Sequence, residues 1–340
     1  MTLIRPVKGL DDAMVAAFAS TVACDPHKTL QVIIAMESAD DPAYPLATAF
    51  RDAHPDRDIE VLVCGPAGPR MGKAHNMIAG AARAKNPYIL FSDADCLMSR
   101  ELLADAAGAF MAGADAVYGM PYHAQAANMG DWWFMLAFNH TFCVPAALAY
   151  RLGQFRTFAG AFMGYTRETL ERVGGLEAFS CSIADDYALG LAARRAGARQ
   201  VLLRVPVPVS ETGTSTMDSF RHLSKWMSII CWSCPAGWAI LPLCSATLLA
   251  QAGLAAAVVS GAGWGPPAAA LAVALLSRVI VAWLQDRCLA DYRLPLSAYA
   301  RVLLADNSAL LLWPLGLRRT IDWRSRRYRL YSGGRCRVVE

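Results

Sequence analysis

The chain has 340 residues, enough for one sizeable globular domain plus a membrane region. A formal net charge of +4, with no basic run interleaved with aromatics in residues 1–225, argues against nucleic acid as a partner. The 55% apolar content is high for a wholly soluble protein, and the excess is confined: from Trp226 to Ser277, 52 residues contain no Asp, Glu, Lys or Arg.

Short apolar runs alternate with helical stretches from the N-terminus. Strands are predicted at Leu3–Pro6, Leu30–Met36, Ile59–Val63, Tyr88–Ser92 and Ala116–Gly119, and helices at Asp11–Val22, Tyr44–Ala53, Lys73–Ala84 and Arg100–Ala112. This alternation predicts an α/β domain, a mostly parallel sheet with helices on both faces. Ligands of such sheets bind beyond the carboxyl ends of the strands. Glu37–Asp41 follow the second strand and Asp93–Asp95 the fourth, so both acidic groups belong at that rim. Residues 128–213 are less regular: an aromatic stretch (Trp132, Trp133, Phe134, Phe138), then Thr157–Thr166, then a helix from Asp185. They are read as the acceptor half of the same domain. Met1–Pro6 lacks the apolar core of a signal peptide, so the first domain is expected in the cytoplasm.

The remainder predicts membrane contact. Met217–Ser233 reads as an amphipathic interfacial helix, with Arg221 and Lys225 able to reach water. Ala236–Ala262 is long enough to span a bilayer, Gly265-Pro266-Pro267 marks a turn, and Ala268–Gln285 returns with Arg278 expected to face protein rather than lipid. Val302–Leu317 contains Asp306 and Asn307 and suits a re-entrant segment as well as a span. The expected boundaries are therefore 1–213 for the cytosolic domain, 214–234 for the interfacial helix, 235–317 for the membrane or re-entrant helices and 318–340 for a basic tail. That tail holds eight arginines against Asp322 and Glu340, a composition drawn to anionic headgroups on the cytoplasmic face. The ten cysteines are scattered, and the one CxxC, Cys231 and Cys234, has no second pair or nearby histidine, so reduced thiols are expected.

Two acidic groups and one lysine stretch are candidates for chemistry. Residues two apart on an extended segment point the same way, so Asp93 and Asp95 can face one ligand. Carboxylates suit Mg²⁺ or Mn²⁺, which bridge few protein groups and a substrate's phosphates. Alone, Asp-x-Asp is equally a solvated turn; a haloacid-type phosphatase would continue Gly-Thr, where this chain has Cys96-Leu97. Asp185-Asp186-Tyr187 opens a helix, where acids serve as caps or as a general base within reach of an attacking hydroxyl. Lys73 and Asn76 follow Gly72 at a helix start, where the lysine either contacts a nucleotide, orients the acids or is simply solvated.

Together these segments resemble the ceramide glucosyltransferases and their bacterial relatives, family 21 of the GT-A glycosyltransferases, over nearly the whole chain. Arg5-Pro6-Val7-Lys8-Gly9 is similar to the family's opening Lys-Pro-Leu-Lys-Gly, and Glu37-Ser38-Ala39-Asp40-Asp41-Pro42 to the segment of its first aspartate. Lys73-Ala74-His75-Asn76 resembles its Lys-x-x-Asn, Asp93 its second aspartate and Asp185-Asp186-Tyr187 its Glu-Asp-Tyr. Asn139-His140 resembles a Ser-His pair, and His222-Leu223-Ser224-Lys225-Trp226 stands where the family has Gln-x-x-Arg-Trp. Trp323-Arg324-Ser325-Arg326-Arg327-Tyr328-Arg329 resembles its closing Trp-Arg-x-x-Arg-Tyr-Arg.

The resemblance implies a doubly wound GT-A domain with a C-terminal α-helical membrane region in a bacterial inner membrane. It implies inverting transfer of a hexose, glucose first, from a UDP-sugar to a lipid hydroxyl, ceramide first. Asp186 is implied as the base beside Asp185, and Lys8, Glu37, Asp40, Asp41, Lys73, Asn76, Asp93, Lys225 and Trp226 as donor-binding. His140 and His222 fall on the acceptor side, with Mg²⁺ or Mn²⁺ at Asp93 and Asp95. Alternatives are a hopanoid or glycerolipid acceptor, with UDP-N-acetylglucosamine as a possible donor, or a non-catalytic lipid-binding protein. Asp185 is shorter than the family's Glu, Lys225 lacks the bidentate fork of its Arg, His222 replaces a Gln, and the family tends to open with a membrane helix that Met1–Pro6 does not suggest.

Overall fold

The computed structural model describes residues 1–153, 160–210, 212–289 and 294–339. They form two compact units, the described parts of Met1–Gln125, Ala146–Thr212 and Arg319–Glu340 in the first, and of Ala126–Pro145 and Gly213–Arg318 in the second.

The first unit contains β1 (Thr2–Pro6), β2 (Gln31–Met36), β3 (Ile59–Val63), β4 (Tyr88–Ser92), β5 (Ala116–Tyr118), β6 (Pro121–His123), β7 (Phe162–Thr166), β8 (Gln200–Leu202) and β9 (Val207–Val209). Seven of these build one sheet in the order β3-β2-β1-β4-β7-β5-β8, while β6 and β9 pair separately. β1 is parallel to both β2 and β4, with Ile4 opposite Ile33 and Phe91. Helices cover both faces, so these strands are apolar runs; Leu3, Ile4, Ile33 and Ile34 are fully buried. The helices Ala13–Ala23, Tyr44–Asp52, Gly72–Arg83 and Arg100–Met111 begin and end within two residues of expectation. Ser99 caps the last of them, its Oγ accepting from Leu102 N at 3.0 Å.

One strand departs from the parallel pattern. β7 runs antiparallel between β4 and β5, inside the segment expected to be irregular, of which residues 157–159 lie outside the described residues. Gly164 makes the insertion possible. A Cβ there would sit 2.5 Å from Leu90 Cδ2 and 2.9 Å from Val117 Cγ2, its register partners on either side.

The segment expected as a basic tail is instead folded. β10 (Thr320–Trp323), β11 (Arg326–Leu330) and β12 (Cys336–Val338) form an antiparallel sheet that belongs to the first unit. Ile321, Tyr328, Leu330 and Cys336 are buried, while Arg327, Arg329 and Arg337 are exposed, the two-residue alternation of a one-sided sheet.

The second unit is helical. Thr216–Ser233 is one helix, capped by Ser215, whose Oγ accepts from Asp218 N at 3.1 Å. The expected span Ala236–Ala262 is broken into Pro235–Ile240, a tight turn at Leu241–Cys244 and Ala246–Val259, bent by 64°. Pro242 cannot donate into a continuing helix, and Ser245 caps a new one, accepting from Leu248 N at 3.3 Å. Gly265-Pro266-Pro267 is the first turn of Gly265–Leu289 rather than a loop, a position where proline lacks nothing the helix needs. The 24-residue apolar stretch Gly265–Cys288 is long enough to cross a membrane. Arg278 faces protein as expected: its Nε and Nη2 each reach an Asp306 carboxylate oxygen at 2.7 Å, and Nη2 also donates to His140 O at 2.9 Å. Val302–Leu312 runs into a 3₁₀ turn at Trp313–Leu317.

Candidate active site

The loops after β2 and β4 bring Glu37, Asp41, Asp93 and Asp95 to the carboxyl end of the sheet. Arg5, fully buried at the end of β1, shapes the turn after β4: its Nη1 donates to Asp93 O at 2.8 Å and its Nη2 to Cys96 O at 3.0 Å. Burial pulls this guanidinium's pKa down, against the neighbouring acidic groups that pull it up. Ser210 N donates to Asp95 O at 3.1 Å, so the Asp93–Cys96 turn is held from both sides.

Lys73, one residue into its helix, is the centre of the cluster. Its Nζ lies 2.5 Å from Asp93 Oδ1 and donates to Gly160 O at 3.3 Å. Gly160 N in turn donates to Asp186 Oδ2 at 2.7 Å, and Tyr187 N to Asp186 Oδ1 at 2.7 Å. Burial alone would lower the Lys73 ammonium, but Asp93, Asp185 and Asp186 outweigh it and hold it above its usual range. Desolvation, then the Asp185 charge, pushes the Asp186 carboxyl up to about 6. Asp185 is also raised by burial, and its Oδ2 accepts no hydrogen bond among the described residues. The two acids differ slightly in access: Asp185 is buried, whereas Asp186 is partly buried.

Asp95 sits beside Asp93, and desolvation, then the Asp93 charge, raises its carboxyl to about 6. Two hard oxygen donors repelling each other beside one lysine form a donor set that suits Mg²⁺ or Mn²⁺. Among the described residues no three or more His, Cys, Asp or Glu side chains form a ready-made cage. Such an ion needs only one or two carboxylates when phosphates complete its shell, so these residues fit it.

The other expected donor residues take more structural parts. Asp41 is buried and accepts from Gly9 N through both oxygens at 3.0 Å and from Ala43 N at 3.0 Å, fixing the loop after β1. Asn76 is buried and donates to Val7 O at 3.3 Å, holding the same loop. Asp40 is exposed and bonds Ser38. Glu37 accepts from Ala67 N at 3.1 Å and lies 3.9 Å from Lys8 Nζ. Its strongest partner was not anticipated: Arg326 Nη2 donates to Glu37 Oε2 at 2.6 Å across 289 positions of chain. A cleft of about 410 Å³ opens here, lined by Lys8, Gly9, Asp40, Asp41, Arg324 and Ser325. The alternation of Ile321, Tyr328 and Leu330 with arginines was the signal that could have marked these residues as strand rather than tail.

Lys225, Trp226, His222 and His140 belong to the second unit. Trp226 packs against Phe134, Phe138 and His222, with ring centroids 5.3, 5.1 and 5.1 Å apart. His140 lies in a different, buried group: its Nε2 is 3.3 Å from Asp286 Oδ1 and its Nδ1 is 3.3 Å from Gln285 Oε1, while Tyr299 OH donates to Asp286 Oδ2 at 2.9 Å.

Two curated proteins of Caenorhabditis elegans are similar in sequence. Ceramide glucosyltransferase 1 is 21% identical over 235 residues, 67% of this chain and 49% of that protein; ceramide glucosyltransferase 3 is 22% identical over 231 residues, 67% and 50%. The chain spans about half the length of these relatives. Among solved structures, the mannosyltransferase PcManGT from Pyrobaculum calidifontis, in complex with GDP-Man and Mn²⁺, superposes with a TM-score of 0.51 at 21% identity, covering 91% of this chain and 86% of that one. That likeness shows the GT-A fold. A sequence model described as "Glycosyl transferase family 21" matches residues 1–336, and the chain belongs to that family.

Proposed function

We propose that the protein is an inverting, membrane-bound glycosyltransferase that moves a hexose, glucose first, from a UDP-sugar to a lipid hydroxyl, with ceramide as the first acceptor. The observation that carries this reading is the convergence on Lys73 of Asp93 and, from some ninety residues further along the chain, the adjacent pair Asp185 and Asp186. The names of the nematode relatives support ceramide and glucose. A hopanoid or glycerolipid acceptor, with UDP-N-acetylglucosamine as donor, is the second reading; the acids that a non-catalytic lipid binder would have no need of are all here.

In this mechanism the partly buried Asp186 is the base rather than the more deeply buried Asp185. A carboxyl titrating at about 6 is ionised near neutrality and still basic enough to take a proton. As the lipid oxygen attacks the anomeric carbon from the face opposite the diphosphate, Asp186 accepts its proton. The bond from the anomeric carbon to the diphosphate oxygen breaks with its electron pair on that oxygen, which inverts the centre. Gly160 N and Tyr187 N hold the Asp186 oxygens in place, and Asp185 keeps Lys73 charged beside Asp93. Asp93 and Asp95 would hold Mg²⁺ or Mn²⁺, which when bound offsets the negative charge growing on the leaving UDP.

The first unit is assigned to the cytoplasmic side of a bacterial inner membrane, with part of residues 235–317 in the bilayer. Because residues 146–212 and 319–340 share one unit, the chain between them crosses the bilayer an even number of times. Gly265–Cys288 with the bent pair Pro235–Val259 supplies two crossings.

The test is UDP release by the full chain in detergent, with UDP-glucose, Mn²⁺ and ceramide, omission controls and mass spectrometry of the lipid. Ceramide-dependent release with a hexosylceramide product supports the reading. Silence with ceramide and release with a hopanoid or diacylglycerol moves the acceptor to the second reading, and hydrolysis or release with no lipid dependence sinks both.

A further inference from the structure

Trp323 pairs with Arg326, so Arg324 and Ser325 alone turn the chain between β10 and β11. Tight turns of this kind take a left-handed residue, a position at which glycine is favoured because it has no Cβ. Here the position is Arg324, at φ 55°. Among the described residues only one other non-glycine, Lys28, has a positive φ. An arginine held in this conformation costs stability that glycine would spare, which points to a use for its side chain.

The turn delivers that side chain to the cleft of Lys8, Gly9, Asp40 and Asp41. Arg324 is exposed there and makes no hydrogen bond or ion pair among the described residues. Asp41, the buried acid of the cleft wall, has both oxygens engaged by the backbone of Gly9 and Ala43. Lys8 brings a second cation, held only loosely by Glu37 at 3.9 Å. One residue on from the turn, Arg326 clamps the hairpin to Glu37 at the carboxyl end of β2. The cleft thus combines two under-used cations with the rim where open α/β sheets bind nucleotides.

We propose that the β10–β11 hairpin is a wall of the donor site, in which Arg324 binds the diphosphate of a nucleoside diphosphate together with Lys8, and Arg326 is the positioning residue that fixes the hairpin through Glu37. This rests on the donor reading above. It gives the arginine-rich end of the chain a second task, inside the catalytic unit rather than on a lipid surface.

The experiment is calorimetric titration of UDP and of uridine into the full chain in detergent, for the wild type, Arg324→Gly and Arg324→Ala. Loss of one charge-assisted contact to phosphate weakens UDP binding about tenfold in both variants. Uridine, which has no phosphate, binds all three proteins within about twofold. Arg324→Gly removes the left-handed strain, so its thermal midpoint does not fall, and weaker binding by that variant cannot come from misfolding. For Arg326, Arg326→Ala raises the donor KM while kcat holds, and Arg326→Lys restores most of the KM. UDP binding by Arg324→Gly equal to that of the wild type overturns the proposal. A wild type that binds no UDP overturns the donor reading itself, so the two failures are separable.

Discussion

Lys73 carries a positive charge that acts on Asp93, Asp185 and Asp186 together, and Lys73→Met removes that charge with little change of shape. The Asp186 carboxyl titrates at about 6 with Lys73 pulling it down. An opposite charge within about 4–6 Å lowers a carboxyl by about 1–3 pH units, so its loss moves the acid limb of the kcat profile from about pH 6 to about pH 7–9. A base whose midpoint moves from about 6 to about 8 falls from roughly ten-elevenths to one-eleventh ionised at pH 7, a loss of about tenfold. The sign is fixed: the working form is the carboxylate, so kcat rises with pH in both proteins, later in the variant. The assay is initial-rate UDP release from pH 5 to 9.5 at saturating donor and constant Mn²⁺, which separates proton transfer from weaker donor binding. Lys73→Arg keeps the charge and should keep the limb near pH 6. A Lys73→Met profile whose limb stays at pH 6, lower only by a constant factor, would refute the electrostatic role assigned to the lysine.

Asp186→Asn removes the base and should lower kcat about 10²–10⁴-fold while UDP still binds, checked by single-turnover rates beside calorimetry. Asp95→Asn removes one of the two metal-side carboxylates; the Mn²⁺ concentration giving half-maximal UDP release should rise at least about tenfold, and EDTA should silence the wild type reversibly. Arg278→Leu leaves Asp306 charged and buried in the second unit, and should cost about 3 kcal/mol in detergent unfolding experiments. The double variant Arg278→Leu/Asp306→Leu should recover most of that loss.

Legibility followed the length scale of the interactions. β1 to β4 and their helices were readable because each is set by its own apolar pattern, as in Gln31–Met36, where every residue is buried. The Asp93-Ala94-Asp95 turn was readable because it directly follows such a strand. β7 was not readable: five residues with a glycine have no periodicity to offer, and the reason for Gly164 lies in Leu90 and Val117 on two other strands. The break in that apolar stretch was not legible because composition makes Ala236–Ala262 uniformly apolar, whereas a single Pro242 with Ser245 behind it decides the geometry. The closing segment was misread because eight arginines outweighed a short alternation of buried residues. Its partner, Glu37, lies too far away in sequence for any local pattern to reveal.

That same distance sets an order of events during synthesis. Glu37 leaves the ribosome 289 residues before Arg326, and at about 5–20 residues per second the interval is roughly 15–60 s. Throughout it the sheet β1–β4 can form, yet the cleft beside Lys8 lacks the wall carrying Arg324. The residues made in between include the apolar helices of the second unit. The cleft is therefore finished last, after the apolar helices of the second unit have been made, and a nascent chain released early lacks the wall that carries Arg324.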